Sequence, residues 1–197
     1  MNNNMVLEMI ARIISIIIAI TIHQFFYALT SVLLGDQLPK TQGRLTLNPL
    51  KQIEPVGFII MIISAFGWGK PVNINPAYYK DKKIGTLIVS FSGITANLCL
   101  GAIAGLAIRI FDFPIFVDYI LKYMVYYNIV LAVLNLIPVY PLDGYRILLV
   151  LVKPNLYFKI IQSEKIIQMI LMFLAFAGVL SIILDPIINL LMRLFIG

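Results

Sequence analysis

The chain has 197 residues, of which 61% are apolar and 12% charged, with a net charge of +6 and a single histidine. An ordinary soluble domain carries about 25% charged residues, so the charges here are too few to cover a globular surface and lipid must solvate part of it. The basic residues are scattered through the polar connections and form no dense tract, which points to membrane topology and away from nucleic acid.

The first apolar segment runs from Met9 to Leu34, long enough to cross a hydrocarbon core of about 30 Å at about 1.5 Å per residue. Residues 1–9 contain no Lys or Arg, and the apolar run is longer than a signal-peptide core, so a retained membrane helix is expected. His23 and Gln24 interrupt it near the middle. Gly35-Asp36 ends it, and a polar stretch to Glu54 follows, with Lys40, Arg44, Lys51 and the turn-forming pair Asn48-Pro49. Val56–Phe66 is apolar but about half the length of a span, and is expected to re-enter or to lie buried in protein.

Ile84–Ile110 is a second full span. Gly93, Asn97, Gly101 and Gly105 recur at every fourth position, so they share one helix face where a neighbouring helix can approach closely. Asn97 adds an amide that can donate and accept at that contact. Cys99, the only cysteine, reads as a small packing residue and cannot form an internal disulfide. After an acidic connection, Phe111–Asp118, comes a third span, Tyr119–Ile137. A broken apolar segment around Pro141-Leu142-Asp143-Gly144 and a polar loop with Lys153, Lys159 and Lys165 follow. Ile166–Leu184 is expected to be a fourth span, followed by a short apolar tail. The expected fold class is thus an all-α membrane protein: one polytopic domain over 1–197, with about four transmembrane helices, a short re-entrant or buried segment and a broken Pro-Leu-Asp-Gly segment.

The connections Gly35–Lys83 and Val139–Lys165 hold eleven of the fifteen Lys and Arg, and Phe111–Asp118 holds none. If Val56–Phe66 dips in and returns, both basic connections face the cytoplasm and the acidic one faces outward. Polar groups at membrane depth need partners and are functional candidates by default. The principal ones are His23, Gln24, Asn97 and Asp143. On a helix, Tyr27 lies one turn beyond His23 on the same face. A channel or small transporter would call for a repeat and a polar stripe along several helices, and neither is evident.

Several of these pieces, taken in order, resemble the site-2 proteases, intramembrane zinc metalloproteases, and their compact bacterial branch in particular. His23-Gln24-Phe25-Phe26-Tyr27-Ala28 stands where that family has H-E-x-x-H-A. Gly43-Arg44-Leu45-Thr46-Leu47-Asn48-Pro49, Gly67-Trp68-Gly69-Lys70-Pro71 with Asn75-Pro76, Ser92-Gly93 with Asn97, and Asn135-Leu136-Ile137-Pro138 with Pro141-Leu142-Asp143-Gly144 resemble its later motifs. The resemblance covers about residues 10–150, with the C-terminal helical segment, 166–196, outside it.

The resemblance implies that two histidines of the first motif and the aspartate of the last hold zinc, with the glutamate as general base for the attacking water. Carried over by position, His23 and Asp143 keep ligand chemistry, whereas Gln24 occupies the general-base position and Tyr27 that of the second histidine. An amide cannot take a proton from water at neutral pH. A phenol, with a pKa near 10, must lose its proton to bind zinc strongly. The expectation is weak or absent zinc binding and little or no hydrolysis. The former substrate cleft, with Asn97 as a cleft or structural polar residue, is then left to bind a membrane segment of a partner protein. The alternative is an active intramembrane metalloprotease with an altered site. The expected location is the bacterial cytoplasmic membrane, among its lipids, with the remnant site toward the cytoplasm.

Overall fold

The computed structural model describes residues 3–197; Met1 and Asn2 of the expected single domain lie outside them. Among the described residues the chain forms ten α-helices: α1 (Asn3–Leu33), α2 (Leu38–Thr41), α3 (Pro49–Gln52), α4 (Pro55–Ser64), α5 (Lys82–Ile110), α6 (Ile115–Leu134), α7 (Asp143–Leu151), α8 (Pro154–Gln162), α9 (Glu164–Phe176) and α10 (Val179–Ile196). Four of them, α1, α5, α6 and α10, are long and apolar enough to cross a membrane. The all-α membrane fold is therefore as expected.

Helix α6 is the centre of the bundle. Half of its span is buried against protein, compared with 17% of α10, which lies at the periphery. Ile129, Val130, Val133 and Leu134 of α6 pack with Ile60, Phe66, Leu171, Leu184 and Ile188 in the largest core cluster, while Tyr127 and Leu131 meet Ile16 and Ile20 of α1 in a second. Ser15 donates to the Ile120 carbonyl at 3.0 Å, and Arg12 Nε to the Tyr127 hydroxyl at 3.1 Å. These bonds satisfy polar groups that would otherwise meet hydrocarbon.

Helix α5 begins where the Asp81 carboxylate caps it, accepting from the amides of Lys83 and Ile84 at 2.9 Å each. The face expected for close packing, Gly93, Asn97, Gly101 and Gly105, is buried throughout. At Gly105 a Cβ would stand 2.5 Å from the Phe195 carbonyl oxygen, so the absence of a side chain is what lets α10 come this close. Arg109 then donates to the last carbonyls of α10, at Leu194 (2.9 Å) and Ile196 (3.1 Å), where a cation complements the helix end. Cys99 departs from the expectation. It is exposed, because the buried row through Asn97 puts residue 99 on the opposite, lipid-facing side of α5.

The polar stretch after α1 is a folded cap. Asp36, fully buried, accepts from the amides of Leu38 (3.0 Å) and Asn75 (2.7 Å) and from the Ser31 hydroxyl (3.0 Å). Arg44 donates to the carbonyls of Lys51 and, at 2.5 Å, of Lys70, and burial lowers its pKa. From this cap α4 rises for ten residues, about 15 Å, and Ala65 turns the chain back through a left-handed conformation, φ 65°. The return ends beside the start, with Ile53 bridged to Gly69 and Lys70 N donating to Gln52 O at 2.8 Å. The short segment is thus a hairpin that comes back to its own base.

The fourth span is placed differently from the expectation. The apolar run Ile166–Leu184 is broken at Gly178, whose φ of +73° suits glycine and ends α9 after 13 residues. A 13-residue helix is about 20 Å long, too short to span. The spanning helix is α10, which absorbs the expected tail and carries Pro186 within it, as membrane helices tolerate. The polar loop before α9 also holds a helix, α8.

Candidate functional site

His23, Asn97 and Asp143 come from α1, α5 and the start of α7, and the fold brings them together. The backbone first makes room for the imidazole. A Cβ at Gly93 would lie 2.7 Å from His23 Cε1 and Nε2, so the ring lies flush against α5. His23 Nδ1 is 2.6 Å from Asn97 Oδ1, and Nε2 is 2.8 Å from Asp143 Oδ2. His23 is 3% exposed and Asn97 0%.

The amide network assigns the protons. Asn97 Nδ2 donates to the Ala19 carbonyl (3.1 Å) and to Asn128 Oδ1 (2.6 Å), and Asn128 Nδ2 donates to the Met124 carbonyl (2.8 Å). With its NH2 group committed to acceptors, Asn97 presents Oδ1 to the ring, so His23 Nδ1 carries the hydrogen. The Nε2–Oδ2 contact then holds one further proton between imidazole and carboxylate. Asp143 is positioned by Asn135, whose Oδ1 accepts from Asp143 N at 3.4 Å and whose backbone carbonyl accepts from Gly144 N at 2.7 Å. A Cβ at Gly144 would stand 2.4 Å from the Ile137 carbonyl, which explains the glycine after the aspartate.

His23, Asn135 and Asp143 border a cavity of about 210 Å³, walled by the α4 return at Trp68, Gly69 and Val72, by α7, and by the α8–α9 corner, whereas Asn97 lies outside its lining. Gln24 and Tyr27 both line it. Gln24 lies against the return, since a Cβ at Gly69 would be 2.9 Å from its Nε2. Tyr27 is 3% exposed, and its hydroxyl has no hydrogen-bond partner among the described residues.

Three further residues belong to the site. Asn128 lies in the apolar run of α6, and the rule that picked out Asn97, a polar side chain at membrane depth, applies to it equally. Arg146, one turn after Asp143, faces the cavity, and its position in a helix opened by the Asp143 turn was the available signal. Glu164, at the start of α9, reaches the same cavity and accepts from the Tyr145 hydroxyl. Burial and the Glu164 carboxylate hold the Tyr145 phenol well above the usual tyrosine range. Only the tertiary fold brings Glu164 here.

The donor set does not fit a catalytic zinc. Such a site takes three protein ligands and a water, and among the described residues no three His, Cys, Asp or Glu gather. His23 and Asp143 supply two donors of that kind, and the remaining motif positions, Gln24 and Tyr27, offer an amide and a phenol.

Residues 114–178 match the model of Peptidase family M50. The chain is 32% identical over 186 residues to "Putative zinc metalloprotease YwhC" of Bacillus subtilis (strain 168), covering 90% of this chain and 85% of that protein. It is 33% identical over 138 residues to "Putative zinc metalloprotease Rip2" of Mycolicibacterium smegmatis, covering 66% of this chain and 52% of that one. Against Rip2 of Mycobacterium tuberculosis (strain H37Rv) it is 29% identical over 141 residues, or 67% and 53%. The chain spans about half the length of the Rip2 proteins. No solved structure matches.

Proposed function

We propose a function from one premise: this chain belongs to peptidase family M50, the site-2 proteases. Within that family it is a proteolytically inactive or impaired member that holds a membrane segment of a partner protein in the former substrate cleft. The observation that carries this reading is that Gln24 and Tyr27 share the cavity wall with His23 and Asp143. Beside one imidazole and one carboxylate, these positions offer an amide for a base and a phenol for a ligand. The cavity between the α4 return and α7 is retained, so binding survives where hydrolysis lacks its parts.

A second reading keeps the protease active. Its support is Glu164, a carboxylate on the same cavity that would stand in for the missing general base. One comparison separates the two. The parent protein and a Gln24→Glu, Tyr27→His double variant are purified without added zinc, and metal content and cleavage of a membrane-spanning peptide are measured for both. Zinc and cleavage in the variant alone support the first reading. Stoichiometric zinc with chelator-sensitive cleavage by the parent sinks it, and loss of that cleavage in Glu164→Gln establishes the second.

A further inference from the structure

The cavity holds a cation that forms no salt bridge among the described residues. Arg146 reaches it from α7, and its one hydrogen bond among the described residues runs from Nη2 to the Val72 carbonyl at 3.3 Å. No carboxylate lies within ion-pairing distance of it among the described residues. The two acids that share the cavity are engaged elsewhere, Asp143 Oδ2 with His23 and Glu164 Oε1 with the Tyr145 hydroxyl. A guanidinium carries five N–H donors, so most of those on Arg146 are unspent. The group is also held in place, with its central carbon 6.0 Å from the centre of the Tyr27 ring, within the range of a cation–π contact.

We propose that Arg146 receives the C-terminal carboxylate of an apolar peptide lodged in this cavity. The assignment deepens the cleft-binding reading above and rests on it. A planar guanidinium matches a carboxylate with two parallel N–H···O bonds. The remaining walls, with Trp68, Val72, Leu131 and Leu142, suit an apolar last side chain. A doubly charged phosphate is disfavoured, because Asp143 and Glu164 already bring negative charge to the same space.

The test titrates the full-length protein in detergent micelles with acetyl-Ala-Leu-Ala-Leu-Phe bearing either a free or an amidated C-terminus. Emission of Trp68, the only tryptophan and a wall of the cavity, reports binding. The free acid is expected to bind about tenfold more tightly than the amide, as charge-assisted hydrogen bonds allow. Arg146→Met should abolish the preference and Arg146→Lys should keep only part of it. Equal binding of acid and amide overturns the carboxylate assignment and leaves the cleft reading standing. Binding of neither peptide overturns both. A preference that survives Arg146→Met, or displacement of the acid by a phosphate-headed lysolipid at lower concentration, also overturns the assignment. Should Arg146→Met fail to fold, the acid–amide comparison on the parent protein decides alone.

Discussion

At the scale of single residues, the site is a chain of amide and imidazole hydrogen bonds buried in the protein interior, where an unmade bond is expensive. Asn97 makes three of them, to His23, Ala19 and Asn128. Asn97→Ala should destabilise the protein by about 1–3 kcal/mol, the cost of leaving buried partners unsatisfied, read as a lower melting temperature in detergent. An unchanged melting temperature would count against the network. Gly93→Ala acts by contact, since its Cβ would overlap the imidazole, and overpacking of this kind costs about 1–3 kcal/mol. Because the clash is with His23 itself, His23→Ala/Gly93→Ala should lose clearly less than the sum of the two single variants, whereas simple additivity would show that the ring is not where it has been placed. His23, Asn97 and Asp143 were legible in the sequence, because a polar residue inside an apolar run announces that it needs a partner. What no sequence rule supplied is which partner each takes. The same motif order that implies metal ligands ends here in a direct imidazole–carboxylate bond.

At the scale of elements, the α4 hairpin shapes the cavity by a backbone contact. A Cβ at Gly57 would sit 2.3 Å from the Trp68 carbonyl, and one at Gly67 would sit 2.1 Å from the Gly57 carbonyl. The helix and its return are thus pressed together without side chains between them. Gly57→Val should push the return outward, open the cavity wall and expose Trp68 to water, seen as a red shift of tryptophan emission with the helical content kept. Emission identical to that of the parent would refute this account of the wall. The hairpin illustrates how far element reading goes. Its short apolar run between proline and glycine showed that it could not span, while the left-handed turn at Ala65 that sends it back was not foreseeable from an alanine. The fourth span shows the opposite failure. Continuous hydrophobicity through Ile166–Leu184 hid the break at Gly178, and the position of Glu164 on the cavity, at the α8–α9 corner, was hidden as well.

At the scale of the whole molecule, the bundle is laid out by its charges as well as by its apolar faces. Helix α5 runs from Lys82 to Ile110 and is long and apolar enough to cross a membrane, which puts the cap before it and the loop after it on opposite sides. The cap, together with the segment from Val139 to Lys165, holds eleven of the fifteen basic residues, and Phe111–Asp118 holds none. On the positive-inside rule we propose that the cap, the α8–α9 corner and the cavity mouth face the cytoplasm. The single cysteine makes this testable with little alteration. Cys99 faces lipid on α5, where a charged maleimide in water does not reach it, and Cys99→Ala provides a background with no thiol. In that background Lys51→Cys and Lys159→Cys should react with a membrane-impermeant maleimide only in inside-out vesicles, and Asp112→Cys only in right-side-out cells or spheroplasts. Labelling of all three from the outside would break the topology. Labelling of Lys51→Cys and Asp112→Cys from the same face would mean that α5 does not span, and the cavity would lose its assigned side of the membrane with it.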